Sequence, residues 1–285
     1  MRELNLGDLQ GKLLFFGGPY SNLQATQALK SLADVLQIQA SNIICTGDTV
    51  AYCAHPNETV ALLREWGITV VMGNCEESLG WRAPDCGCGF EEGSACEVLS
   101  ESWYRFANQN IEIENRDWMR SLPRIVRFSF HNKSFAVIHG GIQKINQFIF
   151  ASTDSATKAQ TIKDAKVDGI VAGHCGLPFT EQINGKLWHN PGVIGVPAND
   201  GTPRVWYSLW NTVQGKIHIE KRSLEYDANL TRANMLKAGL DNGYAQALMS
   251  GLWPSLDVLP NAERAQQGKT LNESVFEYCV AEYAC

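Results

Sequence analysis

Apolar residues along this chain come in short runs, each ending on glycine or a polar residue, and the order of those runs repeats. Leu13-Leu14-Phe15-Phe16 breaks at Gly17-Gly18-Pro19, which reads as a buried strand running into a loop at its carboxyl end. Residues 23–37 then place Ala25, Ala28, Leu29, Leu32 and Leu36 at helical spacing. The same grammar returns downstream: Asn42–Thr46 is a strand ending at Gly47-Asp48, Asn57–Trp66 a helix, and Thr69–Met72 a strand ending at Gly73-Asn74. Farther on, Ser134–Ile138 ends at His139-Gly140-Gly141, and Gly169–Ala172 ends at Gly173-His174. In open α/β sheets the ligand crevice lies beyond the carboxyl ends of the strands, so these loops are expected to converge on one site.

Residues 80–120 leave this pattern, with Pro84-Asp85-Cys86-Gly87-Cys88-Gly89 followed by a helix around Ala95–Asn108, and are read as an inserted cap over the site. From about Lys186 the pattern turns to β, with strands at Lys186–His189, Arg204–Asn211 and Lys216–Glu220 that would complete a second sheet. Residues 228–252 carry helical spacing through Leu230, Met235, Leu236 and Leu240, and polar Pro260–Asn272 is expected to be loosely ordered. The chain divides into a main domain over 1–222 and a helical extension with a tail over 223–285.

Composition narrows the function. Of the 285 residues 45% are hydrophobic and 19% charged, which suits one large α/β core. The longest apolar stretches fall far short of the roughly 20 residues of a membrane-spanning helix, and no membrane partner is expected. Met1-Arg2-Glu3-Leu4-Asn5 lacks the basic-then-apolar layout of a secretory signal, so a cytoplasmic location is expected. With a formal charge of −6 and no basic run longer than Lys221-Arg222, general nucleic-acid binding is disfavoured, because phosphate neutralisation by clustered cations supplies most of that affinity. The cysteines at 45, 53, 75, 86, 88, 96, 175, 279 and 285 make an odd set. A reducing compartment disfavours a disulfide framework, which leaves the clustered ones as metal or redox groups and the scattered ones, Cys45 among them, as small core residues.

The loops, taken in order, carry more than composition does. They read Gly47-Asp48-Thr49-Val50-Ala51-Tyr52 with Pro56-Asn57-Glu58 after it, then Gly73-Asn74-Cys75-Glu76, His139-Gly140-Gly141 and Gly173-His174-Cys175-Gly176, and finally Asn190-Pro191-Gly192-Val193-Ile194-Gly195. Over roughly residues 12–222 this set resembles the calcineurin-like metallophosphoesterases, in particular the compact bacterial and archaeal branch described as diadenosine-tetraphosphatase-like or as phosphodiesterases. The resemblance implies two β-sheets flanked by helices in α-β-β-α layers, with a small inserted cap. It also implies a site for divalent metal and hydrolysis of a small phosphomonoester, phosphodiester or nucleotide.

Family members carry D-x-H-x-N in the first loop, and here that loop is Gly18-Pro19-Tyr20-Ser21-Asn22. Cys75 replaces the histidine assigned to stabilising the transferred phosphoryl group, and Gly176 replaces the second histidine of G-H-T-H. Of the family's first-metal ligands only Asp48 survives; the second-metal set survives whole as Asp48, Asn74, His139 and His174. The resemblance therefore implies one divalent transition metal per chain, Mn, Fe or Zn, in preference to two. Cys75, Cys175, Cys86, Cys88 and Cys96 stand as extra ligands or redox thiols, or as inert thiols, with Cys86-Gly87-Cys88 on a solvent-side loop. Tyr20 either donates to a phosphate oxygen or plugs the first-metal position, and Arg82 and Arg204 are phosphate clamps or solvated surface residues. Taken singly, Asp48 is equally a turn residue, Asn74 a loop cap and either histidine a core residue; it is the ordered set that points to metal. A metal-dependent phosphoesterase leads, and a descendant of impaired activity that binds metal, ligand or a protein partner is the alternative.

Overall fold

The computed structural model describes residues 2–279. In chain order it contains β1 (Glu3–Leu9), β2 (Leu13–Phe16), α1 (Leu23–Val35), β3 (Ile43–Cys45), α2 (Pro56–Trp66), β4 (Thr69–Val70), α3 (Asn74–Trp81), α4 (Ala95–Asn110) and α5 (Ile113–Ser121). There follow β5 (Ile125–Phe130), β6 (Lys133–Val137), α6 (Ser155–Ala165), β7 (Gly169–Val171), β8 (Phe179–Ile183), β9 (Lys186–Asn190), β10 (Val205–Val213) and β11 (Lys216–Leu224). The chain then adds α7 (Ala228–Lys237), α8 (Gly243–Ser250), α9 (Asn261–Arg264) and β12 (Ser274–Cys279).

The strands form two six-stranded sheets, ordered β1-β5-β6-β7-β9-β8 and β12-β11-β10-β2-β3-β4. Alternation along the strands explains why they stack. In β2, Leu13 and Phe15 face the other sheet while Leu14 and Phe16 face α1, all four fully buried. In β6, Phe135 and Val137 point between the sheets and Ala136 points toward Ile162 of α6. Trp210 of β10 lies in this inter-sheet layer, its ring 4.8 Å from Phe15 and 5.1 Å from Phe135. The α-β-β-α layering expected from the sequence is the observed architecture. Strands β2, β3 and β4 run parallel in one sheet and β6, β7 and β9 in the other, so their carboxyl-end loops open at one rim.

Several elements differ from the sequence reading. β1 pairs with β5 as an edge strand on which only Leu9 is buried, so it shows no apolar alternation to detect. β8 follows directly on the fifth loop and pairs with β9. The helical stretch 228–252 is two helices, because Gly239 takes a positive φ after α7 and Asn242 caps α8 through its side chain. Pro260–Asn272 is tied down instead of loose: Glu263 accepts from Ser152 N and Oγ at 2.9 and 2.6 Å, and Leu271 N donates to Asp200 Oδ2 at 3.0 Å. The chain after residue 222, expected to be helical with a tail, also returns as β12 beside β11. Cys285 and the side chain of Cys279 lie outside the described residues. Among the described residues no helix is long and apolar enough to cross a membrane.

Replacing Trp210 by alanine is expected to cost about 3–5 kcal/mol, since the ring has close aromatic neighbours on both sheets and no room to collapse. A urea unfolding midpoint unchanged from the parent would refute its place at the sheet interface.

Candidate metal centre

Each loop delivers one polar side chain to a common point. Asp48, after β3, adopts φ 58°, and His174, after β7, adopts φ 62°. Both are non-glycine residues in the left-handed region, a conformation that persists only where surrounding contacts over-determine it. His139 follows β6, and Asn74 opens α3. From His139 Nε2 the distances are 3.1 Å to Asp48 Oδ2, 3.0 Å to Asn74 Oδ1 and 3.1 Å to His174 Nδ1. All four residues are buried.

The tautomers follow from the surroundings. His139 Nδ1 lies 2.7 Å from the Thr46 carbonyl, which can only accept, so Nδ1 carries the proton and a neutral ring turns its Nε2 lone pair inward. Asn74 Nδ2 donates to the Cys86 carbonyl at 2.9 Å, which orients Oδ1 inward. Acceptor atoms of Asp48, Asn74 and His139 therefore face one another, with the His174 ring beside them. Positive charge among them, a proton on His139 or a cation, relieves that repulsion. Donors bonded at about 2.1 Å to a common ion lie about 3–3.4 Å apart, so the observed spacing fits a metal. The imidazole N–H bonded to a backbone carbonyl is also the usual support of a ligating histidine.

Electrostatics agree with that demand. Burial opposes the charge of Asp48, but the His139 and His174 rings outweigh it and hold the carboxyl below its ordinary value. Burial likewise opposes protonation of His139, and the Asp48 charge overcomes it and raises that ring. His174, buried and beside His139, is pushed down to about 3 and stays neutral, as a ligand must.

Glu76, to which the sequence reading gave no role, is the support of this arrangement. It has no exposed surface, and its carboxylate accepts from Asp48 N at 2.8 Å, Thr49 N at 2.6 Å, Thr49 Oγ1 at 2.7 Å and Gly73 N at 2.8 Å. It thereby joins the Asp48 loop to the amino end of α3. Burial and the Asp48 charge push its carboxyl upward, and the converging donors pull it back. Cys75 N, one residue into α3, donates to Asp48 Oδ1 at 3.0 Å and aims the other carboxylate oxygen at His139. A Cβ on Gly73 would sit 2.3 Å from Asp48 Oδ1, so only glycine permits this approach. The visible signal was Glu76 three residues after Gly73, the spacing of a helix-capping glutamate.

The cysteines resolve differently from one another. The described residues able to group around a metal are Asp48, His139 and His174, whose ligand atoms all lie within 4.8 Å, and no sulfur joins them. Cys175 Sγ accepts from Asn190 Nδ2 at 3.2 Å and lines the cavity beside Asp48 and His174 without joining that group. Cys86 and Cys88 are buried, not solvent-side, and are bonded to each other as a disulfide, so neither is a free thiol. Gly87 turns the chain between them and brings their Cα atoms to 5.3 Å. Cys88 Sγ lies 3.4 Å from Asn74 Nδ2, and buried Cys96 lines the cavity nearby. Cys75 is buried 3.6 Å from the same nitrogen, and burial followed by the Asp48 charge raises its thiol, so it offers no positive charge where the resemblance implies a histidine. Arg82 is exposed at the end of α3, while Arg204 bonds Asp200 and the Leu271 carbonyl and stacks over Trp206; neither reaches the centre.

Of the ligand positions that the resemblance leaves vacant, position 18 is covered by an aromatic ring and position 176 borders one. A Cβ on Gly18 would meet the Tyr20 ring at 2.3 Å, so that ring lies where an aspartate at 18 would project. Tyr20 packs against Tyr52 at 4.7 Å, Tyr52 stacks on Tyr244 of α8 at 4.0 Å, and Trp103 of α4 closes on Tyr52 at 5.1 Å. A Cβ on Gly176 would meet Trp253 at 3.4 Å, and Trp253 is pinned by Nε1 donating to the Pro197 carbonyl at 2.7 Å. Of the two readings of Tyr20, the geometry favours the plug.

Residues 22–212 match the calcineurin-like phosphoesterase superfamily domain. The chain belongs to this superfamily. An uncharacterized protein of Methanocaldococcus jannaschii is 27% identical over 248 residues, spanning 81% of this chain and 95% of its own. A metallophosphoesterase from Sphaerobacter thermophilus superposes with a TM-score of 0.65 at 21% identity, over 86% of this chain and all of its own. A hypothetical protein of Pyrococcus horikoshii gives 0.69 at 13% identity, over 84% and 98%. These likenesses establish the superfamily fold, and the candidate Asp48, His139, His174 group lies within it.

Replacing Glu76 with glutamine would turn an amide toward backbone donors, and metal affinity is expected to drop by about 10–100-fold. Calorimetric titration of Zn²⁺ into metal-free protein checks this; unaltered affinity with the fold intact would show that Glu76 does not position Asp48.

Proposed function

We propose that the protein is a phosphoesterase with one metal position, held by Asp48, Asn74, His139 and His174. The observation that carries this is the meeting of Asp48, Asn74 and His174 around His139 Nε2, with Asn74 and His139 each fixed from behind by a backbone carbonyl. A carboxylate, an amide oxygen and two imidazoles suit Mn, Fe or Zn, and such an ion supplies Lewis-acid polarisation of a phosphoryl oxygen and acidifies water. The residues do the remainder: Glu76 and the Cys75 amide hold Asp48 in register, the aromatic rings exclude bulk water, and the amino end of α3 faces the site with its positive dipole end. In hydrolysis, water adds to phosphorus and the P–O bond to the leaving alcohol breaks. Without a second ion or a histidine at position 75 to clamp attacking and leaving oxygens, turnover is expected to lie about 10³-fold or more below a two-metal site.

A second reading is a protein that binds metal or ligand without turnover. It draws on the cavity beside Asp48 and His174, whose volume is about 60 Å³, well under the usual size of a small-molecule site. Elemental analysis of protein purified without added metal, with hydrolysis of p-nitrophenyl phosphate and its bis-ester under Mn, Fe and Zn, separates the two. The enzymatic reading expects close to one metal per chain, lost in His174→Ala, and turnover abolished in Asp48→Asn without unfolding. Bound metal with no turnover in the parent would establish the second reading.

A further inference from the structure

The cavity of about 60 Å³ beside Asp48 and His174 does not end there. A second cavity of about 150 Å³ shares the walls Phe90, Cys96, Phe148 and Val258 with it and adds exposed Glu91 and Asp257. The two adjoin through those shared walls, which come from the cap, from Phe148 and from the loop after α8. Phe148 packs 4.1 Å from the His174 ring and stacks 6.3 Å from Phe90, and Trp253 forms the facing wall. Asp257 Oδ2 accepts from Ala95 N at 2.9 Å, which fastens this loop to the first turn of α4. Neither cavity is lined by a lysine or an arginine.

A site for phosphomonoesters or polyphosphates needs cations beyond one metal, because each additional negative charge must be neutralised or left desolvated. Here a single divalent ion facing Asp48, with the Glu76 carboxylate buried behind that loop, would leave at most about one net positive charge, and Glu91 and Asp257 repel further anions along the way in. The aromatic walls favour an apolar substituent.

Building on the phosphoesterase reading, we infer that this channel is a charge filter, in which Phe90, Phe148, Trp253, Glu91 and Asp257 select phosphodiesters of one negative charge bearing an apolar or aromatic group and reject dianionic monoesters and polyphosphates. The outer cavity, at about 150 Å³, is of the size that holds a benzene ring, so an aromatic substituent can be seated there.

Calorimetric titration of the metal-loaded protein with diphenyl phosphate, phenyl phosphate and pyrophosphate tests this at low ionic strength. Diphenyl phosphate is expected to bind at least about tenfold tighter than either other anion. Glu91→Lys, an exposed position, narrows that gap about threefold or more, and Trp253→Ala weakens diphenyl phosphate without strengthening phenyl phosphate. Equal binding of the mono- and diester, tighter binding of phenyl phosphate, or binding of none would overturn the filter. Hydrolysis is scored separately: selective binding without turnover retires the enzymatic reading and leaves the filter standing, whereas turnover without preference does the reverse.

Discussion

The Glu76 carboxylate accepts hydrogen bonds from two backbone N–H groups of the Asp48 loop, from the Thr49 hydroxyl and from the first N–H before α3. Those donors belong to loops after two neighbouring parallel strands, and a buried loop whose N–H groups found no acceptor would cost about 1–3 kcal/mol for each. One side chain thus satisfies two loops at once. The left-handed backbone of Asp48 and the aim of its carboxylate depend on that bond set, and the Asp48 charge in turn sets the state of His139.

From this support follows an unusual balance of charge. Asp48 and Glu76 are both buried, and the Asp48 charge pushes the Glu76 carboxyl upward. Two carboxylates so placed are stable only if positive charge lies nearby. The protein supplies the N–H groups at the start of α3, the loop amides and an inward-facing site among Asp48, Asn74, His139 and His174. Metal binding would complete the balance, and a proton on His139 is the substitute available without it.

The same site is narrowed on its other side. Where the resemblance puts metal-binding side chains at positions 18, 20 and 176, this chain has glycine, tyrosine and glycine; the Tyr20 ring lies where a side chain at 18 would project, and Trp253 borders position 176. These rings do not act alone: Tyr52, Tyr244 and Trp103 extend the cluster across the cap and α8.

The strand-loop repeat along the sequence determined the rim on which the site lies, because strand patterns and glycine-bounded loops are local properties, and the resemblance of the ordered loops to the superfamily implied the layer order and four of the site's side chains. Asn74, His139 and His174 could be placed together since each immediately follows a predicted strand in a parallel arrangement. Sequence spacing left open which way each side chain turns, and that was decided by partners distant along the chain. Tyr20 became a plug because Tyr52, itself stacked on Tyr244, packs beside it, and Cys175 stays outside the metal group with its sulfur bonded to Asn190. Cys86 and Cys88, expected at the surface, were buried by packing against the start of α3. The weak edge strand β1 and the returning β12 were hidden for another reason: most of their residues are exposed, which leaves little apolar periodicity, and only pairing with β5 or β11 makes each a strand.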